Sequence, residues 1–371
     1  MAKTESTIKV LHLIDSGGLY GAEKMLLTLC SEQIKQGLQP TILSCGTVNE
    51  EPKAIELEAE RLGIQCKAWR MKAGLNVKGM REIWVWVHEH GFTHLHSHGY
   101  KFDILLALTR SQRTSQSLIS TVHGYTATSL FSKAGIQQLI DRLLLVSFDA
   151  VVWVGGKSNV SPILKTLLRN RLRYIFNGVV VKEVTFIRKI SRVKNLLMVG
   201  RLSKEKGHIY ALEALSILSR DGIDLTMTIA GEGPLEEELK SATEHLEISN
   251  RVNFLGFVDD PNKLYISNDL LLLPSLTEGL PLTLLEAFAS NLPTLATKVG
   301  AIPEVVVEDS FLISDIGSSE AVAKKIKELL SLDDERLKKS VSKVSTKVHA
   351  ELSATAMATK YSSLYEELKC V

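Results

Sequence analysis

Two glutamates in one short segment are the first candidates for chemistry in this sequence. Glu278 and Glu286 stand eight residues apart, and Gly279 and Pro281 interrupt the chain between them before an apolar run. An ionised carboxylate accepts two hydrogen bonds at once, so either side chain could hold the hydroxyl groups of a sugar. The other interpretation is that Glu278 caps a helix and Glu286 is a solvated surface residue. Spacing alone leaves both interpretations open.

The residues around these glutamates predict the elements that hold them. The uncharged run Leu270–Leu273 is short and is followed by Pro274 and Ser275, which is typical of a buried parallel strand. An apolar helix is predicted to begin near Leu282. The intervening loop therefore opens at the carboxyl end of a strand, where open α/β sheets bind ligands. Free N–H groups in the first turn of the helix would suit a phosphate.

Length and composition indicate the broad class of protein. The chain has 371 residues, which predicts two domains rather than one core. It is 45% hydrophobic and 23% charged, and its net charge of +2 argues against a strong nucleic-acid field. Scattered cysteines without a Cys-x-x-Cys pair argue against a zinc or redox motif and for a reducing, cytoplasmic compartment. Residues 1–9 do not resemble a signal peptide, and the apolar region 139–154 carries too many charges to span a bilayer.

The first half begins with a strand, a glycine-rich turn and a helix. A strand is predicted over residues 10–14 and a helix over residues 22–35, with Gly17 and Gly18 in the turn between them. The dinucleotide fingerprint Gly-x-Gly-x-x-Gly is absent, which argues against an NAD site. The glycines either let the backbone approach a ligand or only form a tight turn.

Three histidines alternate along a predicted strand at residues 93–98. His94, His96 and His98 would share one face, which raises the question of a metal site. One strand rarely projects three ligands to a single ion, so we predict no metal and expect one histidine at the strand end to face a ligand. His123 follows the next predicted strand, residues 118–122, at its carboxyl end, where it could also touch a ligand.

The second half repeats the strand–loop–helix pattern. A strand at residues 195–200 is followed by a basic loop that contains Arg201 and Lys206. A strand at residues 225–230 is followed by Gly231, and an amphipathic helix is predicted at residues 356–368. Residues 179–194 have mixed charge and no clear period, which is typical of a linker.

These segments together resemble the family-4 retaining glycosyltransferases, also called glycosyl transferases group 1. Residues 199–207 resemble the donor-phosphate loop of that family, residues 231–234 its next loop, and residues 252–258 the segment beside the nucleotide base. Residues 278–286 match its Glu-x7-Glu motif. The resemblance is continuous over residues 195–304 and is specific, because four motifs recur in order. The first half fits more loosely.

The resemblance implies a GT-B fold, an α/β architecture of two Rossmann-like doubly wound domains facing across a cleft. Residues 1–178 would bind the acceptor and residues 195–354 the donor, with residues 179–194 as linker. The C-terminal helix, residues 355–371, would pack back on the first domain. The implied reaction moves a hexosyl or N-acetylhexosaminyl group from a nucleotide-sugar to a glycan or lipid-linked acceptor, in polysaccharide or glycoconjugate biosynthesis. No cofactor and no metal are implied, and the sequence has no Asp-x-Asp motif.

The resemblance also assigns roles to individual residues. Arg201 and Lys206 would stabilise the leaving diphosphate, Glu286 would hold the ribose, and Glu278 the sugar. His123 would touch the sugar from the other domain. The predicted catalytic residues are Glu278, His123, Arg201 and Lys206. The predicted donor-binding residues are Gly17, Gly18, Arg201, Lys206, Gly231, Val258, Glu278, Gly279, Leu280, Pro281, Leu282 and Glu286.

Two alternative functions remain open. A non-hydrolysing nucleotide-sugar epimerase shares the implied fold, and a catalytically silent protein could bind the same ligand.

Residues 165–173 interleave basic and apolar residues. They are predicted either to lie on anionic lipid, as a peripheral membrane contact, or to form a solvated basic helix on the first domain.

Overall fold

The computed structural model describes residues 8–123, 133–156, 160–181 and 193–369. The chain forms two compact units. The first comprises Met1–Gly178 and Ala354–Val371, and the second comprises Val179–Ser353. Most of the predicted linker, residues 182–192, lies outside the described residues.

The first unit contains a seven-stranded parallel sheet in the order β3-β2-β1-β4-β5-β6-β7. Its strands are β1 (Lys9–Ile14), β2 (Gln39–Gly46), β3 (Gln65–Arg70), β4 (His94–Ser97), β5 (Ser117–Val122), β6 (Ala150–Trp153) and β7 (Leu172–Tyr174).

Seven helices of the first unit are described, and they cover this sheet. They are α1 (Gly21–Lys35), α2 (Ala54–Arg61), α3 (Val77–His90), α4 (Tyr100–Leu108), α5 (Lys133–Leu144), α6 (Pro162–Leu168) and α14 (Ala354–Lys369). The C-terminal helix α14 shares a buried core with α1, in which Met25 and Leu29 meet Met357 and Tyr361. Burial of this apolar face attaches the end of the chain to the first unit.

The second unit contains a six-stranded parallel sheet in the order β10-β9-β8-β11-β12-β13. Its strands are β8 (Asn195–Val199), β9 (Thr226–Ala230), β10 (Val252–Gly256), β11 (Leu270–Leu273), β12 (Thr294–Thr297) and β13 (Leu312–Ile313). Its described helices are α7 (His208–Arg220), α8 (Glu236–His245), α9 (Asn262–Ser267), α10 (Leu282–Ala289), α11 (Ile302–Val305), α12 (Ser319–Leu330) and α13 (Asp334–Glu351).

Strand β11 shows how the sequence places the central loop. All four leucines of Leu270–Leu273 are buried. A parallel strand covered by helices on both faces has no polar side, which explains the uninterrupted apolar run. Burying each leucine contributes about 1.5–3 kcal/mol, so the end of β11, and the loop that follows it, are firmly positioned.

Both sheets contain a topological switch point. In the first, β1 lies beside β4, and in the second, β8 lies beside β11. On either side of such a point, consecutive strands are added in opposite directions, so the loops that leave the two central strands diverge. The crevice between them is the usual ligand site of an open α/β sheet.

The prediction of one basic helix over residues 165–173 was wrong. Helix α6 ends at Leu168, and Arg169 has a positive φ of 42°, which a continuing helix cannot accommodate. Leu172–Tyr174 then forms β7, which pairs with β6 at the edge of the sheet. Pairing with a buried strand outweighs the local helix propensity of these residues. Among the described helices, none is long and apolar enough to cross a bilayer.

Candidate active site

The loops after β8 and β11 meet at the switch point of the second sheet. The Lys206 Nζ donates to Glu278 Oε1 at 2.7 Å, and the Ser275 hydroxyl donates to the same oxygen at 2.8 Å. The Glu278 side chain is only 9% exposed, so these partners offset the cost of burying its charge. A cation and a carboxylate are thereby presented together at the edge of the sheet.

Glycines allow the neighbouring loops to approach this closely. A Cβ on Gly231 would lie 1.9 Å from the carbonyl oxygen of Gly200, and one on Gly300 would lie 2.2 Å from that of Glu278. A Cβ on Gly207 would lie 2.1 Å from a carbonyl oxygen of the β11–α10 loop. Gly207, Gly231 and Gly300 also have positive φ. Any side chain at these positions would push apart the loops that carry the charged groups.

The basic loop after β8 is held by its own acid. Glu205 accepts a hydrogen bond from the Ser203 hydroxyl at 2.6 Å, and its carbonyl accepts from Leu276 N–H at 2.8 Å. Burial alone would raise the pKa of Glu205, but hydrogen bonds and the charges of Lys206 and Arg201 hold it below its ordinary value. The Arg201 side chain is exposed, and among the described residues it forms no ion pair. Its guanidinium is therefore available to a ligand.

Helix α10 begins with open backbone donors. Its N-cap is Pro281, no side chain caps it, and its first turn carries no acid. Its N–H groups and the positive end of its dipole are therefore available to an anion. The Leu280 side chain is buried, so this residue offers a ligand only its backbone. Gly279 fixes the loop by accepting a hydrogen bond from Ala301 N–H at 2.8 Å.

The structure separates the two glutamates. Glu278 does not cap α10, since no side chain does. Glu286 lies inside α10, is half-buried, and accepts a hydrogen bond from the Tyr265 hydroxyl at 2.7 Å. Burial, followed by the nearby Glu286 charge, raises the pKa of Tyr265 well above its ordinary value. The alternative of a helix cap and a solvated surface residue is therefore wrong. The role of Tyr265 had no signal in the sequence.

The segment after β10 is tied to the loop after β9. Glu232 Oε1 accepts a hydrogen bond from Phe257 N–H at 3.2 Å, and Gly231 N–H donates to the Gly256 carbonyl at 2.7 Å. Val258 follows in a half-buried position. This places Gly231 and Val258 in one connected edge of the second sheet.

The remaining predicted residues, Gly17, Gly18 and His123, belong to the first unit. Gly17 is exposed, and a Cβ there would meet nothing within 4 Å. A Cβ on Gly18 would lie 2.7 Å from the exposed ring of Tyr20. Neither glycine has positive φ, so the turn itself does not demand glycine at Gly17.

A cavity of about 240 Å³ lies at the switch point of the first sheet. Lys101 Nζ lies 2.8 Å from Asp15 Oδ2 at its wall. Burial alone would lower the pKa of Lys101, but its hydrogen bond and attraction to Asp15 raise it above the ordinary value. The sequence analysis singled out neither residue. The cavity is lined by Asp15, Gly74, Leu75, His98, Gly99, Tyr100, Lys101 and Phe102.

The histidines in and directly after β4 divide between the C-terminal helix and this cavity. His94 Nε2 lies 3.0 Å from the Tyr365 carbonyl, and His96 Nδ1 lies 2.7 Å from the Tyr365 hydroxyl. His98 lines the cavity and lies 3.3 Å from His123, which stands at the end of β5. Burial lowers the pKa of His123 to about 4, so this ring is neutral at pH 7.

Comparison with known proteins gives matches over most of the chain. Residues 183–344 match the model for glycosyl transferases group 1, and residues 20–182 match the model for glycosyltransferase family 4. An uncharacterized glycosyltransferase of Haemophilus influenzae is 38% identical over 110 residues, 29% of this chain and 31% of that protein. The O-antigen biosynthesis glycosyltransferase WclY of Escherichia coli is 26% identical over 299 residues, 75% of this chain and 80% of that protein.

A solved structure covers nearly the whole chain. Anabaena Alr3699/HepE, crystallised in complex with UDP-glucose, has a TM-score of 0.78 and 20% identity, and the match covers 97% of this chain and 100% of that one. This likeness confirms the predicted fold, GT-B with two Rossmann-like domains.

Proposed function

This chain belongs to the group 1 glycosyltransferases, and we propose that it moves a hexosyl or N-acetylhexosaminyl group from a nucleotide-sugar to a glycan or lipid-linked acceptor. Its relative WclY is an O-antigen biosynthesis glycosyltransferase, which supports a role in polysaccharide biosynthesis. The observation that carries the proposal is the Lys206–Glu278 pair at the switch point of the second sheet, beside the uncapped start of α10.

The charges of this loop cluster suit a leaving nucleoside diphosphate. Negative charge builds up on the diphosphate as its bond to the sugar breaks. Lys206, Arg201 and the N–H groups at the start of α10 would stabilise that charge directly. In our proposal these groups do so without a metal or other cofactor. Lys206 would then be shared between the diphosphate and Glu278.

The two glutamates would bind different parts of the donor. Tyr265 holds one oxygen of Glu286, which orients the carboxylate, and we propose that Glu286 receives the ribose hydroxyls. Glu278 is fixed by Ser275 and Lys206, and we propose that it holds sugar hydroxyls and the positive charge that develops on the ring. No carboxylate is assigned as nucleophile. Retention of the anomeric configuration would therefore follow from attack on the same face of the sugar, assisted by the leaving phosphate.

The first unit would contribute the acceptor side and two donor contacts. The open space at Gly17 supports a close backbone approach by a ligand there, with Gly18 beside it. We assign His123 to the transferred sugar. Since the ring is neutral at pH 7, it would act as a hydrogen-bond donor or acceptor and not as a positive charge.

A panel of UDP-, GDP- and ADP-sugars tests this proposal. A donor at a hundredfold its Kd should stabilise the protein by about 2.7 kcal/mol in thermal unfolding. The selected donor should then release nucleoside diphosphate slowly in the absence of acceptor. An epimerised donor would instead indicate an epimerase, and binding without any reaction would indicate a catalytically silent protein. Lys206→Ala should lose the thermal shift, whereas Lys101→Ala is the matched control in the first unit.

We also propose that the α5–α6 surface of the first unit contacts anionic lipid. Four residues of α5 at helical spacing expose apolar side chains, namely Ile136, Leu139, Ile140 and Leu143. Ile163 and Leu167 also expose apolar side chains on α6. The Arg171 guanidinium donates to the Val146 carbonyl, which places basic charge just beyond the C-terminal end of α5. Apolar and basic groups side by side are what a peripheral lipid contact requires.

Flotation with vesicles tests this surface. The protein should float with anionic vesicles and less with neutral ones, and Leu139→Ser combined with Leu143→Ser should abolish flotation. Leu57→Ser changes an exposed leucine of α2 and is the control. Protein that remains wholly in the aqueous fraction, or a dimer that the double variant dissociates, would contradict a lipid contact.

A further inference from the structure

A row of buried side chains in the first unit joins α1 to the end of β5. His12 Nε2 lies 3.1 Å from Gln33 Oε1, and His12 Nδ1 lies 3.0 Å from His98 Nε2. His98 Nδ1 lies 3.3 Å from His123 Nε2. Gln33, His12 and His98 are buried. His12 and His98 therefore each use both ring nitrogens in hydrogen bonds.

These rings are neutral, which constrains their protons. Burial is the largest cause that lowers the pKa of His12 to about 4, and it lowers that of His98 well below its ordinary value. A neutral imidazole has one N–H donor and one acceptor nitrogen. If His12 donates to Gln33 through Nε2, its Nδ1 must accept from His98 Nε2, and His98 Nδ1 must accept from His123 Nε2.

A second branch starts from the same amide. Gln33 Nε2 donates to the Tyr365 hydroxyl at 3.3 Å, and this hydroxyl lies 2.7 Å from His96 Nδ1. A tyrosine hydroxyl has one proton, so a hydroxyl that accepts from Gln33 donates to His96. His96 must then carry its own proton on Nε2, which lies 2.7 Å from Thr121 Oγ1.

The two branches together allow only two arrangements. With the Gln33 oxygen toward His12, all four histidines carry the proton on Nε2. With the amide reversed, every bond reverses and all four carry it on Nδ1. A mixed arrangement would leave two donors or two acceptors facing each other in the buried interior, at a cost of about 1–3 kcal/mol for each unsatisfied group.

We propose that Gln33 is a positioning residue that sets, through His12 and His98, which nitrogen of His123 carries the proton. The coupled tautomers follow from the hydrogen bonds alone. Their effect on catalysis rests on the proposed function, because that function assigns His123 to the sugar. Nδ1 of His123 is then either an acceptor or a donor toward a sugar hydroxyl. Gln33, from which His123 is separated by two side chains, determines which of the two it is.

A metal site is the competing interpretation of this cluster. The ligand atoms of His12, His96 and His98 lie within 4.8 Å of one another. All six nitrogens of these rings already have hydrogen-bond partners among the described residues. An ion bound by one nitrogen from each ring would have to displace several of these bonds, which favours the hydrogen-bonded network.

Imidazole ¹⁵N spectra of the histidine-labelled protein test the proposal directly. In the wild type, His12, His96, His98 and His123 should show one common tautomer. Gln33→Glu introduces a group that only accepts, so His12, His98 and His123 should carry the proton on Nε2. The Tyr365 hydroxyl would then donate to the new carboxylate, and His96 should carry its proton on Nδ1.

Two further variants complete the test. Gln33→Leu removes the constraint, and His123 should become a mixture of tautomers. Gln36→Leu is the matched control, because Gln36 follows the last residue of α1 and its side chain bonds to Thr359 and Ser362 of α14, not to a histidine. It should leave all four tautomers unchanged. Circular dichroism establishes that each variant is folded.

Several results would overturn the proposal. Mixed tautomers among the four wild-type histidines would do so without any variant. A single unchanged tautomer of His123 in folded Gln33→Leu would do so as well, as would a proton on Nδ1 of His123 in folded Gln33→Glu, or stoichiometric Zn²⁺ binding that removes these N–H signals. A lower kcat with unchanged donor KM in Gln33→Leu would support the catalytic consequence. If no sugar were transferred at all, the proposed function would fail while the tautomer pattern could still hold.

Discussion

Each of the two sheets carries a lysine–carboxylate pair across its switch point. In the first unit, Asp15 follows β1 and lies 2.8 Å from Lys101, which is in α4 beyond β4. In the second, Lys206 follows β8 and lies 2.7 Å from Glu278, which follows β11. The acid is 37% exposed in the first pair and 9% exposed in the second. The same topology therefore supports one solvent-exposed and one largely buried carboxylate, whereas the lysine is the more exposed in the second pair, at 28% against 16%.

The two sites also differ in what lies behind the charges. Neutral histidines and tyrosines form the interior beside the first site, whereas glycines and close backbone contacts surround the second. A buried carboxylate and its lysine, held by tightly packed loops, present charge at fixed positions, which stabilisation of a transition state requires. A hydrogen-bonded neutral interior instead orients single protons. The comparison supports our proposal that the second unit stabilises charge and the first orients hydrogen-bonding groups.

A fall in pH should destabilise the first unit much more than the second, and this is the largest effect we expect. A histidine in the unfolded chain binds a proton near pH 6.5, whereas a buried histidine of the folded protein resists protonation. Its contribution to the free energy of unfolding is therefore fully present above pH 6.5 and is lost as the pH falls toward 4. The loss is about 1.4 kcal/mol for each group and each pH unit within that range. Burial lowers the pKa of five histidines in the first unit, His12, His94, His96, His98 and His123, and of His208 in the second.

Intrinsic fluorescence can follow this effect in the first unit alone. All four tryptophans of the chain belong to that unit, at positions 69, 84, 86 and 153. At pH 5 the fluorescence transition should precede the transition seen by far-UV circular dichroism, whereas between pH 7 and 9 neither should move. Coincident transitions at pH 5 would contradict a histidine-dependent first unit.

A methyl group in the second site should have the next largest effect. Gly231→Ala places a Cβ 1.9 Å from the Gly200 carbonyl at a φ of 144°. Backbone strain and overpacking together should destabilise the second unit by about 2–6 kcal/mol. Gly17→Ala, whose Cβ has open space, is the control and should change stability by about 0.5 kcal/mol or less. Circular dichroism should detect the Gly231 effect, and equal stability of the two variants would refute the packing argument.

Removal of single charges should have an intermediate effect. Lys206→Ala and Arg201→Ala should each lower kcat/KM for the donor about 10- to 150-fold, which corresponds to the loss of about 1.5–3 kcal/mol from a charged hydrogen bond. Lys101→Ala, which breaks the equivalent pair of the first unit, should leave donor KM unchanged. Steady-state kinetics with saturating acceptor measure all three. Unchanged turnover in both second-unit variants would exclude them from the diphosphate site.

Local patterns predicted much of the second unit. The leucine run of β11, the break at Gly279 and Pro281, and the apolar start of α10 were read correctly, because each depends on neighbouring residues. The basic loop with Lys206 was placed at a strand end for the same reason. GT-B as a whole came from motifs that recur in order.

Long-range partners could not be predicted. Tyr265 reaches Glu286 only through the packing of α9 against α10, and His12 reaches His98 across 86 residues of chain. The Asp15–Lys101 pair likewise depends on the strand order. Strand β7 was missed because its three residues gain their conformation from pairing with β6 and not from a pattern of their own.

Donor-saturation kinetics of Glu278→Gln and Glu286→Gln test the central claim most directly. Ribose does not change during the reaction, so Glu286 should contribute uniform binding, and its variant should mainly raise donor KM. Glu278 lies where charge develops, so its variant should lower kcat with a smaller change in donor affinity. The opposite pattern would reverse the two roles. Variants that change only melting temperature would contradict a donor site at these loops.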